Sequence, residues 1–160
     1  MIDTNNFLTK TGVRTFEAAA FLRRCGADVT RVRKMFREHV EDYRAKGEAI
    51  RNAELFREHF AISVCPSEGL DSPTVVGAQA ANELLNIIGV KASFVLTDYR
   101  NTIYISARSI DEINVQIVME RLGGGGHLNI AGAQLEHYSI TEAKDVLKQT
   151  LQKMLDEGDI

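Results

Sequence analysis

Cysteine is scarce in this 160-residue chain: Cys25 and Cys65 stand 40 residues apart with no C-x-x-C spacing. That excludes a disulfide scaffold and a thiolate zinc site, and predicts two reduced, partly buried thiols. Long apolar runs are missing too. The longest apolar stretch, Val75 to Ile88, is interrupted by Gln79, Asn82, Glu83 and Asn86, so no segment suits a bilayer. Residues Met1 to Lys10 lack the charged-then-apolar order of a secretory signal. An excess of positive charge is absent: 19 Lys+Arg against 22 Asp+Glu give a net charge of −3. A duplex-DNA binder needs a basic face, and this balance argues against one.

What is present describes a folded protein. Hydrophobic residues make up 44% and charged residues 26% of the chain, a globular composition with material for a real core. The charge is unevenly distributed. Residues 1–59 carry 12 Lys/Arg against 9 Asp/Glu, and residues 60–160 carry 7 against 13, so a +3 segment precedes a −6 segment. We expect two parts with different tasks.

The first part reads as helical. Phe16, Ala19, Ala20 and Arg23 recur at helical spacing before Gly26, and Asp28 is positioned to cap a second helix, Val29 to Phe36. A third helix is expected from about Glu38 to His59, with Val40, Tyr43, Ile50, Ala53 and Phe56 on its apolar side. The second part alternates strand and helix signals. Strands are expected at Phe60–Cys65, Ala92–Thr97 and Thr102–Arg108, the last two joined as a hairpin, with a weaker strand signal at Leu135–Tyr138. Ser72-Pro73 begins a helix that reaches Ile88, another spans Ile113 to Leu122, and a third opens on a Ser139/Glu142 capping box.

Two features carry chemistry. Gly123-Gly124-Gly125-Gly126-His127 is either a helix C-cap followed by a linker or a concavity whose N–H groups hold an anion. It is not a P-loop, which needs Lys-Ser/Thr where His127-Leu128 stands, nor the dinucleotide fingerprint, whose last glycine falls on Leu128 or Asn129. In the strand before it, Tyr104, Ser106 and Arg108 share one face, with Ile103, Ile105 and Ala107 on the other. Arg108 is one of seven cations after residue 59, and its guanidinium suits either a surface ion pair or bidentate phosphate recognition.

The run Ser106-Ala107-Arg108-Ser109, then Ile113-Asn114-Val115, then the glycines with His127, Ala131 and Gly132 resembles the DHHA1 domain of DHH-type phosphoesterases. Ile2-Asp3-Thr4-Asn5-Asn6-Phe7 with Thr11 to Ala19, which includes Arg14, looks like the end of the catalytic DHH domain in GdpP-type cyclic-di-AMP phosphodiesterases. The resemblance implies an α/β fold, a mixed sheet flanked by helices and preceded by a helical segment. It divides the chain into a DHH remnant at 1–36, a connector helix at 37–59 and a DHHA1 domain at 60–160. It implies that Ser106, Arg108, Gly124, Gly125, Gly126, His127 and, more weakly, Asn129 hold substrate phosphate, and that Asp3 is one ligand of a manganese pair. A carboxylate suits manganese.

The family's Asp-His-His and Asp-x-Asp motifs are missing from this chain. The expectation is therefore a carboxyl-terminal fragment that binds nucleotide weakly at best and does not hydrolyse it. Its expected partners are a cyclic dinucleotide or short oligonucleotide, the DHH domain of its parent and a possible second copy in a homodimer. The expected location is cytoplasmic, with a membrane-anchored parent. Two alternatives stand: an oligoribonuclease or nucleoside-bisphosphate phosphatase of the same superfamily, and a non-catalytic module that grips single-stranded nucleic acid.

Overall fold

The structure is a computed structural model; it describes Thr4, Phe7 and residues 11–160. The chain forms two compact units, Met1–Glu38 and His39–Ile160. The first unit holds α1 (Val13–Arg24) and α2 (Val29–Met35), at the places the sequence predicts. The Asp28 carboxylate accepts the N–H groups of Thr30 at 2.9 Å and Arg31 at 3.3 Å and so caps α2.

The second unit runs α3 (Val40–Arg51), β1 (Glu54–Phe56), β2 (Phe60–Cys65), α4 (Pro73–Leu84), β3 (Ala92–Tyr99), β4 (Thr102–Ser109), α5 (Val115–Arg121), β5 (Gly125–His127), β6 (Ile130–Glu136) and α6 (Ile140–Glu157). Its six strands make one mixed sheet in the order β1-β2-β3-β4-β6-β5, in which only β2 and β3 are parallel. The α/β class with a mixed sheet flanked by helices is as the sequence predicts.

The layers follow from the two faces of each strand. Phe60, Ile62, Phe94, Leu96, Ile103, Ile105, Ala107, Ala131, Ala133 and Leu135 point to one side, where α5 and α6 cover them. On that side α6 buries Ala143, Leu147, Leu151 and Met154, one residue per turn. Ala61, Cys65 and Val95 point to the other side, under Ala45 and Ala49 of α3 and Val76, Ala80, Ala81 and Leu84 of α4. Two buried hydroxyls on this side are satisfied by helix carbonyls. Ser63 donates to Ala49 O at 2.5 Å and Ser93 to Ala81 O at 2.6 Å.

Several expected boundaries are corrected. The third helix stops at Arg51 rather than near His59, because Asn52 caps it and Arg57 and Glu58 take left-handed φ in the turn of a β1–β2 hairpin. Its buried face is Ala45 and Ala49, while Val40 and Tyr43 are exposed. Glu54 anchors the short β1 strand through ion pairs with Lys144 at 3.1 Å and Lys148 at 2.8 Å. Burial alone would raise the Glu54 pKa, but hydrogen bonds from Lys148 and Lys144 hold it below the usual carboxylate range. The helix opened by Pro73 ends at Leu84, short of Ile88, and α5 starts at Val115 behind an Asn114 cap. The weak strand signal at 135–138 belongs to a longer strand, Ile130–Glu136.

The cysteines also differ from expectation in one respect: Cys25 is exposed and Cys65 is buried. Burial, reinforced by the nearby charge of Glu48, pushes the Cys65 thiol up to about 11. Native protein at pH 8 should therefore expose one titratable thiol to a disulfide reagent, with the second appearing only in denaturant. Two fast thiols in the native protein would contradict this packing.

Candidate functional site

The glycine run begins as the expected helix cap, with Gly123 at φ +78° and Gly124 N–H donating to Met119 O at 2.8 Å, but continues as a strand rather than a linker. Gly125, Gly126 and His127 form β5 and turn through Leu128-Asn129 into β6, pairing Gly125 with Gly132, Gly126 with Ala131 and His127 with Ile130. Two glycines are dictated by backbone contact. A Cβ on Gly124 would lie 2.1 Å from Gly132 O, and one on Gly126, at φ +150°, would lie 2.5 Å from Ala131 Cα. Gly125 differs: a Cβ there meets nothing within 4 Å.

Register arranges the remaining residues in rungs across the sheet. Directly paired residues on neighbouring strands project to the same face, and successive rungs on that face lie about 7 Å apart along the strand. Ser93, Arg108, Ile130 and His127 form one rung. Val95, Ser106, Gly132 and Gly125 form the next, and Thr97, Tyr104 and Gln134 the one after. Helix α4 packs over β2, β3 and β4 on this face. Farther out Ile130, His127 and Gln134 are exposed. From β4 outward the middle rung carries only the small side chain of Ser106, so it forms a trough floored by backbone. A cleft of about 560 Å³ opens there, lined by Thr74 at the start of α4, by Tyr104, Ser106 and Gln134, and by Gly124, Gly125 and Gly132.

Arg108 stands on the rung next to the trough, outside the cleft's own lining. Its Nε donates to Asn82 Oδ1 at 3.1 Å and its Nη1 to Ala107 O at 2.8 Å, both of which orient the guanidinium. Burial lowers its pKa from the ordinary value for arginine. Among the described residues no carboxylate lies in ion-pair contact with it. A half-buried guanidinium with no described carboxylate partner, beside a rung whose only side chain from β4 outward is that of Ser106, has the chemistry to receive an anion.

Of the residues singled out in the sequence, Ser106, Gly124 and Gly125 line the cleft. Arg108 and His127 occupy the adjoining rung, two strands apart, a separation of about 10 Å from the strand spacing. Gly126 pairs with Ala131, whose side chain belongs to the core on the α5 side, and so faces away from the trough. Asn129 is tied into the hairpin tip: its Nδ2 donates to Asp111 Oδ1 at 2.5 Å, its carbonyl accepts from Ser109 N at 3.1 Å, and its Oδ1 lies 3.5 Å from Ser109 Oγ. Asp3 lies outside the described residues. Among the described residues no group of three or more His, Cys, Asp or Glu could hold a metal ion, so they do not by themselves fit a manganese pair. The sequence reading missed Gln134 and Thr74, because only the register and the position of α4 bring them to the cleft. No helix among the described residues is long and apolar enough to cross a membrane.

A mixed sheet covered by helices on one face and half-open on the other, with an arginine and a glycine-lined trough on the open half, defines an α/β domain with a polar cleft on its sheet. The DHHA1 domain model matches residues 59–154, and the chain belongs to that family. It is 41% identical over 148 residues, 92% of its length, to the cyclic-di-AMP phosphodiesterase PdeA of Listeria monocytogenes. It is also 41% identical over 160 residues, 99% of its length, to the cyclic-di-AMP phosphodiesterase GdpP of Bacillus subtilis. The chain spans only 22% and 24% of those two proteins. An exopolyphosphatase-related protein from Bacteroides fragilis shares its fold with a TM-score of 0.85 at 23% identity, over 96% of this chain and 47% of that one.

Proposed function

We propose that this chain is the substrate-holding part of a cyclic-di-AMP phosphodiesterase, in which a DHH domain with manganese supplies hydrolysis to pApA. The rung of Arg108 and His127 beside the side-chain-poor Ser106–Gly132–Gly125 rung is the observation that carries this reading. Arg108 supplies a forked cation for a phosphodiester, and His127 adds a ring N–H from the far strand. The trough lets a ribose lie directly on the backbone. Identity of about two residues in five to two cyclic-di-AMP phosphodiesterases, through both the helical unit and the sheet unit, supports the choice of substrate. The role of this chain's residues is to bind and orient the phosphodiester. The same reading gives a cytoplasmic ligand and a site completed by the parent's catalytic part.

Calorimetry on residues 1–160 tests the ligand class. Cyclic-di-AMP and pApA should bind, a ten-base single strand should bind no tighter than pApA, and His127→Ala should weaken cyclic-di-AMP by about tenfold, the loss of one charge-assisted hydrogen bond. Tighter binding of the longer strand with a steep salt dependence would favour the single-stranded nucleic-acid module instead.

A further inference from the structure

The third rung has no task in phosphate binding, yet its Tyr104 and Gln134 line the cleft that the Arg108 and His127 rung adjoins. Tyr104 and Gln134 are directly paired across β4 and β6, so their side chains leave the sheet side by side. Both line the cleft together with Thr74 from α4. Gln134 is exposed and Tyr104 half-buried, and among the described residues the Gln134 side chain has no hydrogen-bond partner. The Tyr104 ring is held by the Tyr99 ring, with centroids 6.5 Å apart and planes tilted by 51°. An aromatic ring beside an exposed carboxamide is chemistry that recognises a nucleobase: the ring stacks on its π-face, and the amide offers donors and an acceptor to its edge.

The spacing agrees. The Tyr104/Gln134 rung lies two rungs, about 14 Å, from the Arg108 rung, with the side-chain-poor rung between them. A phosphate at Arg108, a ribose over Ser106 and Gly132, and a base at Tyr104 and Gln134 use the three rungs in order. We infer that Tyr104 and Gln134 form the nucleobase subsite of this groove and accept a purine, the longer-reaching base class. The inference rests on the nucleotide-binding reading above.

The test compares pApA with its doubly abasic analogue, which keeps both phosphates and both riboses. Affinities for residues 1–160 are read from the NMR shift of the Gly125 amide. Tyr104→Ala and Gln134→Ala should each weaken pApA by about tenfold, the usual worth of a base stack or a base-edge pair, and leave the abasic ligand unchanged. Arg108→Ala should weaken both ligands. If Arg108→Ala weakens both and the rung variants bind pApA like the wild type, the base subsite is wrong while the groove stands. If neither ligand binds the wild-type chain, the nucleotide-binding reading falls and this inference falls with it. Tyr104→Phe, which keeps the ring, should bind pApA normally; a loss there equal to that of Tyr104→Ala would overturn stacking as the mechanism.

Discussion

Arg108→Ala should weaken cyclic-di-AMP binding by between about tenfold and a hundredfold, the range expected for a hydrogen-bonded charge at a phosphate. The loss should come with little change in stability. The side chain donates to an exposed Asn82 and to its own strand's Ala107 carbonyl, and no ion pair with a described residue is broken by its removal. Arg108→Lys separates charge from shape. A lysine keeps the positive charge but not the planar fork, so it should recover part of the affinity. Full recovery would mean that only charge matters, and no loss on Arg108→Ala would remove Arg108 from the site. Thermal melts of all three proteins check that the sheet is intact.

The second large effect concerns the glycine run, whose members should fail in different ways. Gly124→Ala and Gly126→Ala drive a methyl group into the backbone of β6, and Gly126 adds a left-handed φ. Neither clash can be relieved by a flexible side chain, since the atoms met are Gly132 O and Ala131 Cα. Each substitution should cost about 3 kcal/mol or more, lowering the melting temperature by roughly 10 °C, or release β5 from the sheet. Gly125→Ala meets nothing, so its melting temperature should stay level or rise slightly, because alanine loses less backbone entropy than glycine on folding. Its methyl group projects into the trough, and ligand affinity should fall. A stable Gly125→Ala protein that binds as the wild type does would show that ligand does not lie on this rung.

These expectations differ in how much of them the sequence carries. The alternation of Ile103, Ile105 and Ala107 with Tyr104, Ser106 and Arg108 is a period-two signal, and β4 has those faces. The Ser139/Glu142 capping box and the stripe from Ala143 to Met154 likewise place α6. The glycine run carries no side-chain pattern, so its strand is visible only through its pairing with Ala131 and Gly132. The β1 strand is three residues long and shares its apolar spacing with the helix before it, so a helical period runs on past the true end at Arg51. The apolar face of α3 is two buried alanines beside a half-buried Ile50; a search for large residues finds Ile50 and passes over Ala45 and Ala49. At the site, Arg108 and Ser106 follow from one strand's alternation. Gln134 depends on a pairing 30 residues away, and Thr74 on how α4 lies over the sheet. Local signals mark single strands, whereas a trough across three strands is a property of register.

The most direct test is an NMR titration of isotopically labelled residues 1–160 with cyclic-di-AMP. The groove predicts the largest shifts at Ser106, Arg108, Gly125, His127, Ile130 and Gly132, with smaller ones at Tyr104 and Gln134. No saturable shift, or shifts confined to the separate shallow pocket at Arg121, Thr150 and Lys153, would contradict it.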